Sequence, residues 1–166
     1  MTGGETMSNE EMAYIYDRYS SSVYRMAFMY CKNSVDAEDI TQETFISRFQ
    51  TDAVFLDEKA EKAWLMRVAA NKCKNMLRSA WYRFWCHSVP LEDAGFIYEA
   101  PEENTVFHAV MDLPAKYRLV IHLYYYEGYS VKEIAKITSR SDTAVQTQLY
   151  RARKLLKEKL GKELQL

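Results

Sequence analysis

With 166 residues, 48% of them apolar and 14% aromatic, the chain carries enough apolar material for one or two small packed domains. Its 22 Lys and Arg against 23 Asp and Glu give a net charge of −1, which excludes a uniformly basic protein that coats nucleic acid indiscriminately. Only 5 Gly and 3 Pro interrupt long periodic runs of Ala, Leu, Lys, Glu and Met, a composition that predicts an all-α fold.

In chain order, the spacing predicts a first helix over Glu10–Tyr30, rich in Tyr and Met, and a second over Val35–Phe49. A third runs from about Lys59 to Phe84. Residues 88–105, SVPLEDAGFIYEAPEENT, hold Pro90, Pro101, Gly95 and five carboxylates without a helical period, and read as an acidic linker. Beyond it, Asp112 is positioned to cap a helix started by Pro114 and stopped near Gly128. Ser130 precedes Glu133 by three positions, the spacing of a reciprocal cap, so the next helix begins near Val131 and buries Ile134, Ala135 and Ile137. After a polar turn at Thr138, Ser139 and Arg140, the last helix buries Val145, Leu149, Ala152 and Leu156 on one stripe. Thr143, Thr147, Tyr150 and Lys154 point the opposite way, flanked by Gln146 and Arg151. Two short helices across a tight turn, followed by Arg151, Arg153, Lys154 and Lys157, form a helix-turn-helix pattern whose leading turns suit base edges and later turns suit phosphates. The same spacing also fits two amphipathic helices of a bundle with solvated charges.

Charge is distributed in blocks. Residues 1–62 hold 6 basic and 12 acidic side chains, 63–87 hold 5 basic and none acidic, 88–113 hold 6 acidic and none basic, and 114–166 hold 11 basic and 5 acidic. Two cationic blocks separated by an anionic one can each meet a polyanion locally, while the near-zero sum predicts weak binding of the free chain to random DNA.

Two upstream stretches carry further chemistry. In SVDAEDITQETFISRF, Asp36, Asp39 and Glu43 fall within a strip about 60° wide, beside a strip of Glu38, Gln42, Phe45 and Phe49. Like charges at this spacing repel, and a cationic partner would relieve them. In AWLMRVAANKCKNMLRSAWYRFW, Leu65, Ala69, Cys73, Met76, Leu77 and Ala80 form an apolar arc opposite a strip of Arg67, Asn71, Lys74 and Arg78. With Trp64, Trp81, Tyr82 and Trp85 around it, this strip matches surfaces that stack unpaired bases beside a tracked backbone, although the tryptophans equally suit a core. Three cysteines, Cys31, Cys73 and Cys86, are too few for a disulfide framework and read as reduced buried thiols. Cys73, Cys86 and His87 lack a fourth ligand at zinc spacing, so neither a metal nor another cofactor is expected. No cluster of nucleophile, base and orienter appears, which argues against an enzyme. No apolar run approaches the ~20 residues of a membrane span, and the polar start MTGGETMSNEE does not read as a signal peptide, so the expected location is the cytoplasm.

The order DAEDITQETF, AWLMRVAANKCKNMLR, an acidic linker, LPAKYRLVIHLYYYEGYSVKEIA and AVQTQLYRARKLLKEKL resembles bacterial sigma factors of the extracytoplasmic-function class within the sigma-70 family. The resemblance spans about Tyr14 to Leu160. It implies two small helical domains, region 2 over residues 1–87 and region 4 over 106–166, joined by the linker 88–105. It also implies a dissociable specificity subunit of core RNA polymerase that meets the β′ coiled coil and the β flap, binds promoter DNA and pairs with an anti-sigma factor. By the same resemblance, Asp36, Glu38, Asp39, Gln42, Glu43 and Phe45 match the segment that docks on polymerase. Phe55, Trp64, Arg67, Asn71, Lys74, Asn75 and Arg78 match the part that melts the minus-ten element and captures a flipped base. Arg140, Ser141, Thr143, Gln146, Thr147, Gln148, Arg151 and Lys154 match readers of the minus-thirty-five element.

This chain departs from the family pattern at several positions. Asn75 stands where the family usually has Asp, Ser139 and Thr143 where it has Gly, and Gln146 and Gln148 where it has Lys and Arg. Ser139 is expected to hold a left-handed backbone angle at a cost of about 1 kcal/mol or more. The two glutamines are expected to weaken phosphate attraction or to redirect base readout toward adenine. Two other readings stay open: a helix-turn-helix regulator acting without polymerase, and a degenerate sigma-like protein bound by an anti-sigma factor.

Overall fold

A computed structural model describes residues 7–79 and 105–164, all of whose regular elements are helices. The linker at 88–105, except for Thr105, lies outside the described residues. So do Ala80, Trp81, Tyr82, Phe84, Trp85, Cys86 and His87.

The N-terminal half is a three-helix unit of α1 (Asn9–Cys31), α2 (Ser34–Gln50) and α3 (Glu58–Arg78), packed pairwise on one another. Each start is chemically marked. Ser8 and Glu11 form a reciprocal capping box on α1, Asn33 accepts from the Asp36 amide at 3.1 Å on α2, and Asp57 accepts from the Ala60 amide at 2.7 Å on α3. Lys32 stops α1 in a left-handed conformation, φ 56°, donating its amide to Phe28 O at 2.8 Å.

The C-terminal half holds α4 (Thr105–Met111), α5 (Ala115–Ile121), α6 (Val131–Thr138) and α7 (Asp142–Leu164). Helix α5 runs into a π turn over His122–Tyr126 and stops at Gly128, φ 74°. The expected Asp112 cap is absent: α5 begins after Pro114 without a side-chain cap, and Asp112 pairs instead with Lys159 of α7. That ammonium, reached because α7 folds back over α4, holds the Asp112 carboxyl below its ordinary range. Thr138, read as part of the polar turn, ends α6 instead; it is buried and donates its hydroxyl to Ile134 O at 2.7 Å.

The two halves share one continuous apolar core, with α5 packed on α1 and α6 packed on α3. Arg118 of α5 is 7% exposed and donates to Met29 O at 2.6 Å, Tyr30 O at 2.7 Å and Leu113 O at 2.5 Å. Met29 and Tyr30 lie in the last turn of α1, where carbonyls have no helical partner and the dipole favours a cation. Thus a guanidinium from one half closes the helix end of the other.

Candidate nucleic-acid interface

On α2, Glu38, Asp39, Gln42 and Glu43 are exposed, and Asp36 is half-buried in the first turn. Glu43 lies 3.5 Å from Lys72, so part of the expected repulsion is relieved within the chain, although an exposed pair of this kind is weak. Phe45 does not join the exposed strip. It is 2% exposed and sits edge-on to Tyr16 at 4.9 Å between centroids, because α1 covers the side of α2 that carries Ala37, Ile40, Thr41, Thr44 and Phe45. Phe45 therefore supports the acidic face from below instead of lying on it. Tyr16, Tyr24 and Arg25 of α1 face Glu38, Thr41 and Gln42 across an open cleft of about 420 Å³.

On α3, Leu65, Met66, Ala69, Ala70 and Cys73 are buried, whereas Arg67, Asn71, Asn75 and Arg78 are exposed and Trp64 and Lys74 half-buried. Sequence periodicity alone located this polar strip. Tertiary packing adds the preceding loop, where Phe55 lies 5.7 Å from Trp64 between ring centroids and the Arg48 guanidinium stands 5.0 Å above Phe55. Arg48 is itself buried and donates to Glu61 at 2.7 Å, so the aromatic pair rests on a fixed ion pair between α2 and α3. This pair faces α6 across a cavity of about 430 Å³, with Phe55, Trp64 and Arg67 on one wall and Glu133, Lys136 and Ile137 on the other. Beside it, the Lys74 ammonium donates to Thr138 O at the end of α6. Burial, together with nearby Arg140 and Arg78, holds Lys74 below its ordinary range.

In the helix-turn-helix, the Ser130 amide donates to Glu133 Oε2 at 2.8 Å and the Glu133 amide to Ser130 Oγ at 3.2 Å. Ser139 takes the left-handed conformation expected of it, φ 54° and ψ 46°. The next helix is capped by Ser141, whose hydroxyl accepts from the Ala144 amide at 3.1 Å, so its acceptor already serves the helix start. Val145, Leu149 and Ala152 are buried; Arg140, Thr143, Gln146, Thr147, Tyr150, Arg151 and Lys154 are exposed, and Gln148 is half-buried. Arg153 bonds the Tyr125 hydroxyl at 2.7 Å and lies 5.4 Å from the Tyr124 ring, which ties this cation to the π turn.

Sequence reasoning missed the charges at the junction between the halves. Lys62 Nζ of α3 reaches Glu127 Oε2 at 2.9 Å, and His122 Nε2 stands 3.6 Å from Glu127 Oε1, with both His122 and Glu127 side chains almost fully buried. Burial holds the His122 imidazole below its ordinary range. It pushes the Glu127 carboxyl up, but His122 and Lys62 outweigh that and leave it below the usual carboxylate range. Lys59 pairs with Glu133 at 2.7 Å in the same junction. Partners 65 residues apart leave no local signature. Nor did the charge blocks hint at them, since Lys59 and Lys62 lie within the net-acidic stretch 1–62.

The model for Sigma-70 region 2 matches residues 15–83, and that for Sigma-70, region 4 matches residues 104–156. RNA polymerase sigma factor SigV of Bacillus subtilis is 30% identical over 149 residues, covering 87% of this chain and 88% of that protein. ECF RNA polymerase sigma factor SigW of the same organism is 27% identical, covering 91% of this chain and 89% of that protein. Among solved structures, the sigma factor RpoE in complex with the anti-sigma factor NepR from Bartonella quintana matches with a TM-score of 0.70 at 20% identity, over 91% of this chain and 97% of that one. CnrH in complex with the cytosolic domain of CnrY matches with a TM-score of 0.67 at 23% identity, over 95% and 92%. At those identities the structural likeness concerns the fold. Two region models in the family's order, and a relative matched over most of both chains, establish that this chain belongs to the extracytoplasmic-function sigma factors of the sigma-70 family.

Proposed function

We propose that the chain binds core RNA polymerase and directs it to promoters, with the exposed acids of α2 docking on the β′ coiled coil and the C-terminal half engaging the β flap. The carrying observation is that α7 presents Thr143, Gln146, Thr147 and Arg151 to solvent on a helix whose other side is locked into the core by Val145, Leu149 and Ala152. This is the geometry a recognition helix needs in a major groove. The strip Arg67, Asn71, Lys74, Asn75 and Arg78, with Phe55 and Trp64 beside it, takes the unpaired minus-ten strand. No catalytic group is required, since unpairing is offset by binding of the extruded bases. An anti-sigma protein is the proposed regulator and the cytoplasm the proposed location; no helix among the described residues is long and apolar enough to cross a membrane.

Run-off transcription with core polymerase from the promoter of the protein's own operon tests this assignment. Replacing Asn71 and Arg78 by Ala should abolish run-off from paired DNA while sparing much of the activity on a template mismatched across the minus-ten region. Replacing Gln146 and Thr147 should lower both, because a pre-melted bubble does not replace upstream docking. Equal behaviour of the two variants on both templates refutes the division of labour.

A further inference from the structure

The leading turns of α7 carry four exposed side chains on one face: Thr143, Gln146, Thr147 and Tyr150 stand at i, i+3, i+4 and i+7, outside the stripe buried by Val145, Leu149 and Ala152. None of the four has a side-chain hydrogen bond, ion pair or ring contact among the described residues. All are uncharged, so this face meets a groove without the guanidinium that pairs with O6 and N7 of guanine. Arg153, two turns beyond Gln146 on nearly the same line, bonds the Tyr125 hydroxyl at 2.7 Å and stands 5.4 Å from the Tyr124 ring, which holds it against the π turn. Arg151 lies about 140° around the helix from Gln146.

The two glutamines are not equivalent. Gln146 is exposed, one turn from Thr143 and one turn from Tyr150, in the N-terminal part of the helix where recognition helices contact base edges. Gln148 is half-buried and turned about 160° away from it. Resting on the sigma-factor reading, we propose that Gln146 selects an adenine in the upstream element, its Oε1 accepting from the N6 amino group while its Nε2 donates to N7. A carboxamide presents one acceptor and one donor side by side, the complement of adenine's major-groove edge. Guanine offers two acceptors there and sets O6 against the carboxamide oxygen. Adenine is therefore preferred at that position by roughly 5- to 150-fold, the range of a bidentate base contact. Gln148 takes no part in this choice.

The test uses holoenzyme reconstituted from the full chain and core polymerase, with the promoter of the protein's own operon randomised over its upstream element and the run-off products sequenced. Gln146→Arg should move the preferred base at one position from adenine to guanine and leave the other positions as they were. Gln146→Ala should abolish the preference at that same position, and it decides the matter where circular dichroism shows the arginine variant to be misfolded. Gln148→Arg should change no base preference, while steepening the salt dependence of promoter binding by up to about one unit of slope.

Guanine preferred by the unaltered chain at the position that Gln146→Ala affects, no position altered by either Gln146 variant, or a base switch caused by Gln148→Arg overturns the proposal. The same library is also selected on the chain alone at low salt, where phosphate attraction is strongest, and the bound duplexes are sequenced. Absence of run-off from the unaltered chain, together with the adenine-to-guanine switch in that selection, sinks the sigma reading and leaves the role of Gln146. Run-off without a switch in either experiment sinks only the role of Gln146.

Discussion

Replacing Arg118 by Met removes a buried guanidinium while nearly conserving side-chain length, and it orphans three carbonyls at once. Arg118 bonds Met29 O, Tyr30 O and Leu113 O at 2.5 to 2.7 Å. Hydrogen bonds to a charged group contribute about 1.5–3 kcal/mol each, which sets a gross loss of roughly 4–9 kcal/mol. Removing the charge also removes its desolvation penalty, worth several kcal/mol in the opposite direction. The net expectation is about 3–5 kcal/mol, since three carbonyls left without a donor cost about 1–3 kcal/mol each and relief of the guanidinium's desolvation offsets part of that.

A second bound comes from the fold. Separating the two halves would hydrate the Met29 and Tyr30 carbonyls, so their share of the loss cannot exceed the free energy that keeps the halves docked. Urea titration followed by circular dichroism should therefore show a lower midpoint, and scattering should show expansion if undocking precedes unfolding. Arg118→Lys, which keeps the charge but not the fork, should fall between the two. An unchanged midpoint together with an unchanged radius for Arg118→Met refutes the closing role assigned to this guanidinium.

Ser139→Gly should stabilise the chain by about 1 kcal/mol, because glycine takes the left-handed conformation without the Cβ penalty paid at φ 54°; a lower urea midpoint contradicts this. The hydrogen bond to Lys59 and the cap on Ser130 hold the Glu133 carboxyl down at about 2, against an ordinary 4.5. The unfolded chain therefore binds more protons between these values, and stability should fall as pH drops from about 4.5 toward 2. Glu133→Gln should flatten that part of the pH dependence of the denaturation midpoint while retaining a side chain that can cap α6. Reversing Asp39 and Glu43 to Lys should weaken association with core polymerase by about 2–5 kcal/mol if the pairs are desolvated in the complex. Pull-down at unchanged helicity measures this, and undiminished binding argues against the α2 face.

Much of the fold was legible because its signals are local. The capping box of Ser130 and Glu133 spans three residues, and the buried stripe Val145, Leu149, Ala152 repeats with the helix period, so both follow from spacing alone. The left-handed angle at Ser139 was likewise legible as a departure from a glycine pattern. Tertiary structure decided what depends on which face a neighbour covers. Phe45 and Glu38 lie about two turns apart on nearly the same side of α2, yet the first is core and the second surface, because Tyr16 of α1 packs on Phe45 whereas Glu38 borders an open cleft. Arg118 reaches Met29 across 89 residues and Lys62 reaches Glu127 across 65. No periodicity records such partners, since it states that a side chain points inward or outward and not what it meets. The sequence by itself determined six helical segments' chemistry and the order of the two regions, but not the short helix Thr105–Met111; only packing decided that the regions share a core and that α6 lies against α3.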